Sequence, residues 1–157
     1  MLKYIKNFNR FGNLWGRLKP LFFLHLQLLP IFAGHYQRPL IAKLGGVKIE
    51  DPLRTFLGEG ILFDTEHPDL IIIESGVRIT MRSIILTHYF EPATGHYTTG
   101  KVHIKKKAFI GAGSIITKPV TIGEYAVVGA GSVVTKDIPD GEVWAGNPAR
   151  FIKKRDL

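Results

Sequence analysis

Ile104, Ile110, Ile116, Ile122, Val128 and Val134 fall six residues apart without a miss. Four places after a beat stand small or aliphatic residues: Ala108, Ser114, Val120, Ala126, Ser132 and Ile138. An amphipathic helix repeats its apolar face at three and four residues and a half-buried strand at two, so a strict period of six belongs to neither. It fits a solenoid. Each hexapeptide gives one short strand and one corner, three hexapeptides close a triangular coil, and coils stack as parallel strands about 4.8 Å apart. The beat residue points into a narrow interior and must be aliphatic. The residue four places on faces inward beside a corner, which favours a small side chain. On this register residues 104–121 form one coil and 122–139 the next. Gly111, Gly123 and Gly129 directly follow beats, where the chain turns, and glycine is expected there for its backbone freedom. A β-sandwich with coincidental spacing is the competing architecture, and six consecutive beats weigh against it.

The beat runs upstream with interruptions. Ile73, Ile79 and Ile85 are again six apart, with Val77 and Ser83 in the inward slot, and Leu57 and Phe63 make another pair around Ile61. Between Phe63 and Ile73 the chain has four residues more than one repeat, and between Ile85 and Ile104 it has thirteen more. A solenoid throws such excess out at a corner as a loop, and loops on a rigid scaffold are where function concentrates. The two excursions are expected near 64–70 and 86–103.

The chain has 157 residues, the size of one domain with a small appendage. It has no cysteine, which excludes disulfides, Cys-ligated zinc and thiol catalysis, and is compatible with a reducing compartment. The net charge of +8 is unevenly placed. Residues 1–49 carry Lys3, Lys6, Arg10, Arg17, Lys19, Arg38, Lys43 and Lys48 and no acidic residue, whereas the rest of the chain is neutral. The same segment holds Tyr4, Phe8, Phe11, Trp15 and an apolar run over 21–29. That run is shorter than the ~18 apolar residues of a membrane span, contains His25 and Gln27, and ends at Pro30. No small-residue cleavage site of a signal peptide follows it. Two uses stay open for residues 1–48: a helical cap on the open end of the solenoid, or peripheral contact of residues 1–30 with an anionic membrane from the cytoplasmic side. The basic residues are interspersed with apolar ones and no nucleic-acid motif is visible, so no nucleic-acid partner is expected. Residues 49–157 are expected to form the β-helix domain.

Three tokens in the C-terminal half are specific: IGAGS at 110–114, VGAGSVVTKD at 128–137 and AGNPAR at 145–150. With the stretch ITMRSIILTH at 79–88, the sequence from Lys101 to Lys154 resembles the hexapeptide-repeat O-acetyltransferases, the family of maltose, galactoside and nodulation-factor acetyltransferases and of many polysaccharide O-acetyltransferases. The resemblance implies an all-β solenoid, a left-handed parallel β-helix preceded here by an N-terminal helical segment. It implies an acyltransferase that moves acetyl from acetyl-CoA to a sugar or glycan hydroxyl, works as a homotrimer with sites between solenoids, and needs no metal. Two alternatives stay open: a trimeric hexapeptide scaffold without chemistry, which is a different class, and an N-acetyltransferase of an amino-sugar nucleotide, which differs only in the acceptor.

Moving an acetyl group from a thioester to an alcohol needs a base for the hydroxyl proton and a donor for the oxyanion that develops on the carbonyl. Histidine suits the first role, because its unperturbed pKa is near 6.5. With no nucleophilic cysteine, direct transfer in a ternary complex is expected rather than an acyl-enzyme. Of the six histidines, His25 and His35 lie in the basic segment. His88 stands where the chain leaves the coil for its long excursion, the place that matches the family's base. His67, in the shorter excursion, is the second choice, and His96 and His103 follow. Gamma-type carbonic anhydrases bind zinc on this solenoid through three histidines, but the coils after Ile104 contain none, so no metal site is expected.

By resemblance the pantetheine arm lies along the outside of the solenoid. Backbone amides around Ala112 and Ala130 would bond it, and the small side chains there let it approach. Thr135 and Lys136 match positions that meet the nucleotide end, and Arg150 and Lys153 match basic positions that pair with its phosphates. Some relatives have serine where Ala112 stands, which leaves the backbone alone for that role. Asn147-Pro148 forms a turn that ends the solenoid. For the acceptor, Asp64 and Glu66 are candidates for a sugar hydroxyl. Tyr89, Phe90 and Tyr97 supply either a sugar-stacking face or the loop's own small core.

Overall fold

The computed structural model describes Gly34 and residues 37–156. The expectations for residues 1–33, and for His25 and His35, lie outside the described residues. The first described element is a helix, α1 (Gln37–Leu44), with Pro39 and Ala42 buried. It packs against the first two strands, and the Arg38 guanidinium donates to the Leu57 carbonyl at 3.5 Å. No described helix is long and apolar enough to cross a membrane.

Three faces of parallel strands then wind around one core. The first face stacks β1 (Lys48–Ile49), β4 (Ile71–Ile73), β9 (Val102–Ile104) and β12 (Thr121–Ile122). The second stacks β2 (Phe56–Leu57), β5 (Arg78–Ile79), β10 (Phe109–Ile110), β13 (Val127–Val128) and β15 (Glu142–Ala145). The third stacks β3 (Leu62–Phe63), β6 (Ile84–Ile85), β11 (Ile115–Ile116) and β14 (Val133–Val134). The register aligns beat with beat: Ile79, Ile110 and Val128 on the second face, and Phe63, Ile85, Ile116 and Val134 on the third. Every beat from Ile73 to Val134 is at most 1% exposed, and the inward slots are equally closed at Ala108, Ser114, Ala126 and Ser132. Serine is admitted there because its hydroxyl finds a carbonyl: Ser114 and Ser132 both donate to Gly129 O, at 2.9 and 2.7 Å. Among the described residues no buried side-chain nitrogen or oxygen lacks a partner.

The glycines after the beats have a different reason from the one expected. Gly111, Gly123 and Gly129 do not have positive φ. A Cβ on Gly111 would lie 2.4 Å from Ala130 N, and one on Gly123 2.4 Å from Asp140 N, so the next coil leaves no room for it. The left-handed angles fall two residues later, at Gly113 (φ 67°) and Gly131 (φ 66°), and at the matching positions Arg82, Lys107 and Tyr125.

The solenoid ends on a hairpin. β16 (Arg150–Lys154) pairs antiparallel with β15 and closes the second face. A cis Asn147-Pro148 peptide lies in the connection, in agreement with the expected terminal turn.

Candidate active site

Both interruptions of the beat leave the coil at the same corner, between the third and first faces, on successive coils. The shorter runs from Asp64 through a single 3-10 turn (Pro68–Leu70) to β4. The longer is an antiparallel hairpin, β7 (His88–Glu91) and β8 (His96–Thr99), standing off the solenoid. Because the coils stack, the first residues of the two excursions meet. His88 Nδ1 lies 2.6 Å from Asp64 Oδ2.

Asp64 is 3% exposed, and five donors surround its two oxygens. Oδ2 takes the Thr87 amide at 2.9 Å, the Thr87 hydroxyl at 2.7 Å and His88 Nδ1. Oδ1 takes the amides of Glu66 and His67, at 2.9 and 3.3 Å. Burial by itself would raise the Asp64 pKa. The Thr87 hydroxyl, the Thr87 and Glu66 amides and the neighbouring His88 outweigh it and hold the group below 3.8. An ionised carboxylate only accepts, so Nδ1 carries a proton and Nε2 of a neutral imidazole keeps its lone pair. The His88 side chain is 28% exposed, against 1% for that of Asp64. The arrangement is a buried carboxylate orienting a solvent-reachable imidazole, a geometry that can accept a proton from a bound hydroxyl.

The sequence alone offers Asp64 to the acceptor; in the structure it partners His88. Its carboxylate is closed off behind Thr87 and His88, with no free lone pair facing solvent. The counts already contained a signal: the excursions follow Phe63 and Ile85, which are three beats apart, and three beats are one coil. Glu66 is exposed at the same corner and stays available to a ligand. Tyr89 lies on the hairpin face opposite His88, under Lys118 Nζ at 5.5 Å. His67 is the residue preceding the 3-10 turn, and His96 is exposed near the hairpin tip, across from Glu91. His103 belongs to β9, not to the loop, and its Nε2 lies 2.7 Å from Glu74 Oε1 on the first face. Among the described residues no group of three or more His, Asp and Glu could hold a metal ion.

The lowered Asp64 pKa makes a stability prediction. A group whose native pKa is depressed stabilises the fold above its unfolded pKa and loses that contribution as the pH falls through the native value. Asp64→Ala should therefore unfold about 2–3 kcal/mol more easily than the wild type at pH 7, because the Thr87 donors lose their buried acceptor. In urea titrations the difference should shrink below about pH 3.8. A gap that persists unchanged to strongly acid pH would mean that the carboxylate charge is not its source.

Ala112 and Ala130 stack on the corner between the second and third faces: Gly131 N donates to Ala112 O at 2.8 Å. Their own amides, with that of Met81 one coil below, have no acceptor among the described residues. The matching amides at the corner between the first and second faces are all taken. Ser75 N, Lys106 N and Glu124 N donate to the carboxylates of Glu50, Glu74 and Asp140, at 2.9, 3.0 and 2.7 Å. One corner thus carries a ladder of open N–H groups and another has it plugged by acidic side chains. Arg150 begins β16 opposite Ala145, on the side of the open ladder, and its guanidinium donates to Ala149 O at 3.0 Å. Lys153 sits opposite Val143, farther along the second face. Thr135 and Lys136 follow β14, at the corner of His88. The residues assigned to the cofactor are therefore divided: Ala112, Ala130 and Arg150 lie at one edge of the third face, Thr135 and Lys136 at the other, and Lys153 on the second face.

The repeat and the fold have counterparts among known proteins. The family model described as bacterial transferase hexapeptide (six repeats) matches residues 101–136. No curated protein matches the sequence. Among solved structures, a polysialic-acid-specific acetyltransferase is 27% identical over 69% of this chain, with a TM-score of 0.58, and the chain spans 51% of that protein's length. A maltose O-acetyltransferase from Clostridium difficile 630 is 26% identical over 93% of this chain and 91% of its own, with a TM-score of 0.62. A hexapeptide-repeat acetyltransferase from Vibrio cholerae, solved with acetyl coenzyme A, shares the fold at 19% identity, over 89% of each chain and with a TM-score of 0.66. In repeat and in fold the chain is a left-handed parallel β-helix of hexapeptide repeats, similar to the hexapeptide-repeat acetyltransferases.

Proposed function

We propose that the protein transfers acetyl from acetyl-CoA to a hydroxyl of a sugar or glycan. The observation that carries this reading is the Asp64–His88 pair at the corner where both excursions leave the coil. A buried carboxylate that fixes the tautomer of a half-open histidine is what general-base chemistry needs and what a scaffold does not. His88 Nε2 takes the acceptor's proton as its oxygen attacks the thioester carbonyl. The tetrahedral intermediate collapses with cleavage of the C–S bond, and the imidazolium returns the proton to the departing thiolate. The products are the acetyl ester and CoA. The chain has no cysteine to hold an acyl group between two half-reactions, which favours the direct route.

Acetyl-CoA fits the open ladder. Ala112 and Ala130 offer backbone donors with only a methyl group to obstruct the approach, and Arg150, Lys136 and Lys153 supply cations for phosphates. The ladder and His88, however, lie at opposite edges of the third face. The left-handed turn at Gly113 and the strand β11 separate Ala112 from Thr117. A side-by-side copy would bring one chain's ladder to another chain's His88. The third face has the surface for this contact: Leu62, Ile84, Ile115 and Val133 stand in register on its outer side, with Leu62 49% exposed. This supports a homotrimer with composite sites, as the family resemblance implies. Glycan acceptors in turn support a place near polysaccharide assembly in the cytoplasm.

Ligand binding tests the reading directly. Acetyl-CoA at 100 times its Kd should stabilise the protein by about 2.7 kcal/mol, seen as a rise in Tm, and CoA should be released in the presence of sugar acceptors. The absence of both, across a broad panel of sugars, would leave the scaffold.

A further inference from the structure

A groove of about 480 Å³ lies on the first face beside α1, at the edge away from His88. Lys43 reaches it from the last turn of α1, Lys48 from β1 and Lys106 from the turn after β9, and all three are exposed. Ile72 stands beside Lys48 on the outer side of the face, because Ile49 and Ile73, the next pair in the register, point into the core. Two carboxylates also line the groove, and the backbone engages both. Glu50 Oε2 accepts from Ser75 N at 2.9 Å. Glu74 Oε2 accepts from Lys106 N at 3.0 Å, and its Oε1 lies 2.7 Å from His103 Nε2. Among the described residues no carboxylate pairs with the ammonium of Lys43, Lys48 or Lys106. Residues 1–33 have no carboxylate side chain to offer, since they hold Lys3, Lys6, Arg10, Arg17 and Lys19 and no acidic residue.

We propose that this groove binds a nucleoside diphosphate, with its phosphates among Lys43, Lys48 and Lys106 and its base against Ile72. The site is distinct from the cofactor corner and does not rest on the acetyl-transfer reading. An ammonium holds phosphate oxygens through charge-assisted hydrogen bonds, and a concave wall of low dielectric strengthens the attraction. The carboxylates are held back at the amides of the corner. The ammoniums instead end long, exposed stems that can converge on a bound anion. Three cations from three separate elements match the spread of a diphosphate better than that of a single phosphate. The volume speaks to the rest of the ligand. It lies in the range of sites for small organic molecules, well beyond what a phosphate ion fills. A flat base can cover Ile72 and the apolar stems of the lysines while its polar edge stays in water.

Equilibrium dialysis of the full chain against UDP, with and without excess acetyl-CoA, tests the site. UDP is the probe because it lacks the adenine of CoA. It should bind equally in both conditions, and more weakly as salt is added. Lys48→Ala and Lys106→Ala should each weaken it about tenfold, and Lys48→Arg should preserve it. Ile72→Ser should weaken UDP and leave inorganic pyrophosphate unchanged. All four variants should keep the wild-type Tm, since these side chains are outside the core. No binding at millimolar UDP overturns the site, and so does binding that both alanine variants retain in full. Displacement of UDP by acetyl-CoA would place it at the cofactor corner and equally overturns the proposal. Pyrophosphate that binds as tightly as UDP overturns the nucleoside assignment.

Discussion

His88→Ala is expected to lower kcat for acetyl transfer by about 10²–10⁴-fold while acetyl-CoA still raises the Tm. The size of the loss follows from the step removed. A sugar hydroxyl is a poor nucleophile until its proton leaves, and no other side chain among the described residues pairs an open base with a buried carboxylate at this corner. The fold should survive the change, because Asp64 keeps four donors that do not come from the imidazole. Asp64→Asn should cost transfer by a comparable factor for a different reason. An amide can turn its NH₂ toward Nδ1, which places the proton on Nε2 and removes the lone pair that faces the acceptor. The two variants together separate a base from its orienting group. Full turnover by His88→Ala would move the base to His67 or His96 and sink the dyad.

The dyad also marks how far the sequence could be read. The beat fixed the interior almost residue by residue, because a prism this narrow accepts aliphatic side chains at one phase only. The skipped beats located His88, because an excess of thirteen residues has to leave a coil at a corner. The partnership with Asp64 needed one more step, since two loops far apart in sequence become neighbours only when the coils are counted off in threes. The position of Tyr89 was beyond the pattern. Which hairpin face carries which ring depends on the strand register of β7 and β8, and a four-residue strand rich in aromatics has no apolar alternation to announce it. The open amides at Ala112 and Ala130 were legible only through the family resemblance. Nothing in a glycine-alanine-glycine string says that the acidic side chains plugging the same rung at another corner are missing here.

Gly111→Ala and Gly113→Ala, two residues apart in one turn, should differ widely in stability. A common expectation treats both as turn glycines, in which case Gly113, at φ 67°, is the one that needs to be glycine. The geometry reverses that order. A Cβ at Gly113 meets nothing within 4 Å, so its cost is the left-handed backbone alone, about 1–2 kcal/mol. Arg82, Lys107 and Tyr125 already occupy that angle at equivalent corners, which shows that the solenoid bears it. A Cβ at Gly111 falls 2.4 Å from Ala130 N and 2.7 Å from Ala130 Cα and Gly129 C. These are backbone atoms, and they are held by the bonds from Gly111 N to Val128 O at 2.8 Å and from Gly131 N to Ala112 O at 2.8 Å. The neighbouring coils can make room only by lengthening those bonds, and each lengthened bond weakens a rung of the stack. Gly111→Ala should therefore cost about 3 kcal/mol or more, or prevent folding outright. Urea midpoints of the two variants decide the matter. If Gly113→Ala proves the more damaging, backbone freedom governs this turn. If Gly111→Ala does, the coils are spaced by the absence of a single methyl group, and the same close approach keeps Ala112 and Ala130 in line on the corner where the cofactor is proposed to lie.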